Sequence, residues 1–216
     1  MKMKGLVASF DRNQAFLVEA LRFSLGSVEL AFNRVVTASK LLETETDYVD
    51  LVAVFSAMAD CWMVVDNADR AREVFSHIRG PRRKLDWVQS FLNGTDSVRS
   101  FRNVLQHVAT HIPRLSNDPS PIVGSLAWID SKDTRKSYSV WMSGTSKSHS
   151  VTTLPLDTWL NRFSGDFLFS IDNREIDLSS IARCCRDFSL ALEFYLQESS
   201  SLSDVDVAAS KFIFKI

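Results

Sequence analysis

DRNQAFLVEALRFSLGSVELAFNRVVTASKLLET, residues 11–44, is the stretch whose reading decides the fold. Apolar side chains recur at Leu17, Leu21, Val28, Ala31, Val35, Ala38 and Leu42. That is the spacing of one buried helix face. The phase survives Gly26, so the spacing predicts a single helix over 11–44 rather than two. Asp11 followed by Gln14 has the form of a helix start. A glycine inside a helix costs about 1 kcal/mol relative to alanine. Gly26 therefore marks either a kink or a close crossing with another helix.

A helix of this length needs partners for its apolar face, and the chain supplies them. After the polar connection ETETD (43–47), with cap candidates Thr46 and Asp47, a second helical pattern begins. It runs through Leu51, Val54, Met58, Trp62, Val65, Ala68, Phe75 and Ile78 and ends at Gly80-Pro81, a helix-stop signal. On it, Asp66 and Arg70 stand four apart with the acid first, the favoured order for a surface ion pair. Arg82, Arg83 and Lys84 form a solvated basic run before a short helix over 84–92. Asn93-Gly94 turns the chain, and Thr95 or Asp96 caps a further helix over 96–113, DSVRSFRNVLQHVATHIP.

Beyond Pro113 the pattern changes. Pro113, Pro119, Pro121 and Gly124 punctuate a loop. Short β-prone runs follow over 122–129, 137–143, 150–154 and 167–171, separated by turn residues. Trp128 and Trp141 are expected as same-face partners on neighbouring strands. Residues 157–163 suit a single helical turn. Asp177 caps a last helix over 178–197, and the terminal KFIFKI suits pairing with the sheet. The expected fold is α+β and mainly α: a helical bundle led by two long helices, a small antiparallel β unit and a closing helix. The bundle covers 1–116, and 117–216 packs on the same core as one continuous domain.

The 216 residues carry 25 basic and 26 acidic side chains, a formal net charge of −1. That balance excludes a broad basic field for nucleic acid, so any such contact must be local. Three cysteines, Cys61, Cys184 and Cys185, without a CxxC spacing, suit reduced thiols in a cytoplasmic protein. Cys184 and Cys185 fall on different sides of a helix and are expected as buried apolar residues. No apolar run is long enough to predict a membrane span. No motif calls for a cofactor.

The helix over 96–113 carries the only local cluster of chemically capable side chains. At 100° per residue, Val98, Phe101, Leu105, Val108 and Ile112 share an apolar face. Arg99, Asn103, Gln106, His107 and Thr110 share the polar arc, with Arg102 at its edge. Arg102-Asn-Val-Leu-Gln-His107 resembles the Arg-x(4–6)-His motif of the HEPN superfamily, including the polar residue after the arginine. The resemblance covers roughly residues 11–113. It implies a helical bundle, often dimeric, with the motif on a late helix at the dimer interface. It also implies a metal-independent RNA endonuclease of a defence or toxin system, of bacterial type.

In that reading Arg102, Asn103 and His107 are catalytic, and Arg99 and Gln106 bind substrate. Imidazole takes and gives protons near neutral pH. Guanidinium meets the charge developing on phosphorus. Asn103 orients the phosphate or the imidazole. One histidine cannot be acid and base together, so two chains would share the site as a homodimer. Some family members have Tyr two residues after the His; Ala109 stands there, which excludes chemistry that modifies that Tyr. Two other readings exist. The polar arc can be the solvated face of a non-catalytic interaction module with a protein partner. His107 and His111, four apart, can be half of a metal site completed by Asp66 or Asp69.

Overall fold

The computed structural model describes residues 12–43, 51–79, 81, 83–106, 124–130, 132–133, 136–141, 152–155, 166–171 and 174–200. The long-helix expectation is met. Helix α1 runs unbroken over Arg12–Leu42, with Leu21, Leu25, Val28, Ala31 and Val35 buried. Gly26 sits inside it without ending it. Helix α2, Leu51–His77, packs antiparallel against α1. The direction follows from two cross-links. Arg34 grips Asp60 with its Nε and Nη2, the latter at 2.6 Å. At the other end, Gln14 Nε2 donates to the His77 carbonyl at 3.4 Å, and the Arg79 amide donates to Gln14 Oε1 at 2.7 Å. Gln14 thus caps the end of α2, whose last carbonyls have no partner within the helix. Thr46, Asp47 and Asp11 lie outside the described residues.

Two short helices follow, α3 over Asp86–Gly94 and α4 over Val98–Gln106, and a long one closes the chain, α5 over Leu178–Ser200. Thr95 does not cap the start of α4 as expected. It closes α3 instead, its hydroxyl donating to the Phe91 carbonyl at 2.6 Å and accepting from Arg72 Nη1 at 2.8 Å. A threonine between two helices can serve either end, and the guanidinium of α2 decides which. Asp177 does cap α5, accepting from the Ser180 amide at 3.0 Å. The aromatic centre lies between α2, α3 and α5. There Phe188 stacks on Phe91 with ring centroids 4.1 Å apart and meets Phe75 edge-on at 5.1 Å.

The β unit is a five-stranded antiparallel sheet. Its strands are β1 Ser125–Ile129, β2 Lys136–Trp141, β3 Thr152–Pro155, β4 Phe167–Ile171 and β5 Arg174–Asp177, in the order β3-β2-β1-β4-β5. Strand β5 was not expected. Its sequence, REID, has a single buried apolar residue, Ile176, and gains its ladder only by pairing with β4. Leu126, Trp128, Val140, Phe167 and Phe169 share the face that joins the helical core. Phe169 meets Trp62 of α2 at 5.1 Å and Phe101 of α4 at 5.4 Å. Trp128 is opposite Tyr138, with stacked rings 5.5 Å apart, not on one face with Trp141. Trp141 is registered against Ser125, three residues from Trp128, and alternation places that position on the other face. The helical turn over 157–163 and the pairing of KFIFKI lie outside the described residues.

Gly124 enters β1 at φ +111°, where an added Cβ would lie 2.7 Å from the Phe169 ring and 3.0 Å from the Ser170 carbonyl. Both the backbone region and the space exclude a side chain. Gly124→Ala is expected to destabilise by about 2–4 kcal/mol, from strain and overpacking together. Urea unfolding measures it, and a loss under about 1 kcal/mol would contradict the account.

Candidate functional site

The described part of α4, Val98–Gln106, is placed by its apolar face. Val98, Phe101 and Val104 are buried, and Phe101 packs on Trp62 at 5.5 Å. Arg174 of β5 donates to the Ser100 carbonyl at 2.6 Å, which fastens α4 from the sheet side. This seating turns Arg99 and Arg102 toward α2, where two acids stand one turn apart. Asp69 is buried, its side chain 1% exposed, while Asp66 is half-buried.

Arg102 bridges both acids. Its Nε donates to Asp66 Oδ1 at 2.9 Å and its Nη1 to Asp69 Oδ2 at 2.8 Å. Arg99 Nε donates to the other oxygen of Asp69, at 3.2 Å. A buried carboxylate is tolerable only with such partners. Burial works against the Arg102 charge, but hydrogen bonds to Asp69 and then Asp66 outweigh it and raise its pKa above the ordinary value. The Arg102 side chain remains 30% exposed, so it is oriented rather than entombed.

Of the residues singled out from sequence, Arg99 and Arg102 come together on Asp69. Asn103 is exposed on the same helix. Gln106 is the last described residue of α4, and His107 and His111 lie outside the described residues. Asp66 pairs with Arg102 across the helices, not with Arg70 along α2 as expected. An i,i+4 contact is worth only tenths of a kcal/mol, and a charge-assisted bond from a packed helix outcompetes it. Sequence reading named Asp69 only as a completing metal ligand and missed its role as the counter-charge to Arg99 and Arg102. Its signal was its phase, because it falls with Trp62 on the buried side of α2, where an acid needs a cation.

Among the described residues no group of three His, Cys, Asp or Glu is arranged to hold a metal ion. The thiols are poor nucleophiles. Burial pushes Cys185 up to about 12 and Cys61 well above its usual range, and burial also raises Cys184. Tyr138 is likewise raised to about 12, by burial and by its hydrogen bond to Asp130. An acid raised by folding stabilises the native state below its unfolded pKa and loses that contribution as pH climbs through the folded value. Stability is therefore expected to fall between about pH 9 and 12, from the cysteine reference value upward. Urea midpoints across that range measure it, and a flat profile would contradict it. In the native state at pH 8, Cys61 and Cys185 should resist a thiol reagent that reaches Cys184.

No family model, curated protein or solved structure matches the chain. Among the described residues no helix is long and apolar enough to cross a membrane.

Proposed function

We propose that the chain is a HEPN-like metal-independent RNA endonuclease of a defence or toxin system. It works as a homodimer, and α4 supplies its catalytic face. The observation that supports this reading is the clamp on Arg102. Two carboxylates of α2 fix its guanidinium on a helix whose next residue, Asn103, is exposed. A fixed, partly exposed cation is what a developing phosphorane needs, because no reorganisation is spent at the moment of reaction. His107 follows within the same motif and is the proton carrier in this proposal. The homodimer supplies the second imidazole, and the chain requires no cofactor.

One observation favours a second reading, a non-catalytic interaction module. Arg99 and Arg102 face Asp66 and Asp69, so the four formal charges cancel. A neutral clamp is sufficient to dock α4 on α2 without any chemistry. Incubation of the purified chain with single-stranded RNA in EDTA separates the two. The nuclease reading requires cleavage by the wild type and its loss in His107→Ala. No wild-type cleavage, or equal cleavage by both proteins, would leave the docking role alone.

A further inference from the structure

Of the two acids in the α2–α4 clamp, Asp66 is the one free to move. Its side chain is 44% exposed, against 1% for Asp69. Arg102 Nε engages only its Oδ1, at 2.9 Å. Asp69 is held on both oxygens, by Arg102 Nη1 on Oδ2 and by Arg99 Nε on Oδ1.

These contacts decide how Arg102 can take an anion. A guanidinium receives two oxygens side by side on one of two edges, Nε with Nη2 or Nη1 with Nη2. The first edge is in use elsewhere in this chain, where Arg34 holds Asp60 and Arg22 holds Glu193. On Arg102 each edge already has an arm engaged. Asp69 sits on Nη1 and is buried. Asp66 sits on Nε and lies at the surface, so the Nε–Nη2 edge is the one that can be opened.

A second cation stands ready to receive Asp66. Arg70 lies one turn along α2 on the same ridge. It is exposed and makes no hydrogen bond or ion pair among the described residues. Side chains four apart on a helix stand about 5–6 Å apart, and acid before base is the favoured order. Arg70 lacks this partner because Arg102 has taken it. Glu73 follows Arg70 by three residues, in the less favoured order, and its carboxylate bonds nothing among the described residues.

The two positions of Asp66 are close in energy. A half-buried pair across helices and a pair along one helix are both weak. What else approaches Arg102 therefore tips the balance. With Asp66 on Arg70, α4 faces α2 with two guanidiniums and one carboxylate, a formal charge of +1 where four charges cancelled. Asp69 holds Arg99 and Arg102 throughout, so α4 stays docked.

We infer that Asp66 is exchanged between two arginines: a substrate phosphate entering on the Nε–Nη2 edge of Arg102 displaces the Asp66 carboxylate onto Arg70. Arg70 is a positioning residue, acting on the phosphate only through Asp66. This rests on the nuclease reading, and it reconciles a clamp that is neutral at rest with the binding of an anion.

Binding of a single-stranded 2′-O-methyl RNA, which lacks the attacking hydroxyl, tests it by fluorescence anisotropy. Salt at about 0.15 M screens exposed charges more than about 8 Å apart. Arg70→Gln should weaken binding about twofold, because the bound state loses one weak helix pair. In an Asp66→Asn background the same substitution should change nothing, since no acid is left to receive. Only residues in contact couple in this way. Arg70→Lys should bind as the wild type does, because a lysine four residues after an acid pairs as well. Arg70→Gln should keep the wild-type melting temperature, having no bond to lose among the described residues. An equal loss in both backgrounds would show Arg70 touching the phosphate itself. No loss in either would show that Asp66 never reaches Arg70. Each result overturns the exchange, while RNA cleavage by the wild type leaves the nuclease reading standing. A wild type that neither binds the analogue nor cleaves RNA removes both.

Discussion

Arg102→Ala is expected to lower RNA cleavage by about 10²–10³-fold, the usual effect of removing one preorganised charge stabiliser. It should also cost about 2–3 kcal/mol of stability, at the lower end for breaking a buried pair, because Arg99 still reaches Asp69. The two effects arise from different ends of one side chain's environment. Asp69 is buried and loses a 2.8 Å charge-assisted bond. In the nuclease reading, the exposed edge of the guanidinium is what an RNA phosphate would lose. Arg102→Lys separates them. A point charge cannot bond two carboxylates in a fixed fork, so cleavage should remain low even where stability partly recovers. Asp66→Asn gives the complementary test. Asp66 is half-buried and its pair is open to solvent, so it contributes little to stability, on the order of 0–1 kcal/mol. It should nonetheless reduce cleavage if it aims Arg102. Paired urea unfolding and cleavage assays decide this. Full cleavage by Arg102→Ala would remove Arg102 from the chemistry and leave only its docking role.

Phe188→Ala should be the most damaging single core change, at about 3–5 kcal/mol, the cost of an aromatic deleted from a packed interior. Phe188 is fully buried and joins three elements at once, stacked on Phe91 of α3, edge-on to Phe75 of α2 and tilted against Trp87 at 5.2 Å. The surrounding rings belong to different helices and cannot all collapse into the space, so the cavity term is large. For a chain of this size the loss corresponds to a melting temperature lower by about 10 °C. Phe188→Leu, which keeps most of the volume, should cost about half as much. Equal effects of Ala and Leu would show that ring geometry rather than volume is what matters there. A loss below about 1 kcal/mol would mean that α5 is not a core element.

Much of the architecture was legible before any coordinates. The apolar period across residues 11–44 required one helix, because a kink at Gly26 would have shifted the phase of Val28 and Val35. Gly80-Pro81 required α2 to stop, and Asp177 required α5 to start. What was not legible were features that depend on what stands across a gap. Strand β5 exists because β4 offers a ladder. Trp128 stacks on Tyr138 rather than sharing a face with Trp141 because the β1–β2 register, invisible in either strand alone, sets the pairing.

The candidate site divides in the same way. Sequence alone determined that Arg99, Arg102 and Asn103 would share the polar side of one helix, since 100° per residue fixes that. Only the tertiary structure decided what that side faces. Packing of Phe101 on Trp62 turns Arg99 and Arg102 toward Asp69, a buried acid whose charge must be met from another helix. Helical periodicity is a local rule, carried by each residue's own φ and ψ. The choice of a charge's partner is a long-range competition between desolvation and distance, and it is settled only when the helices meet.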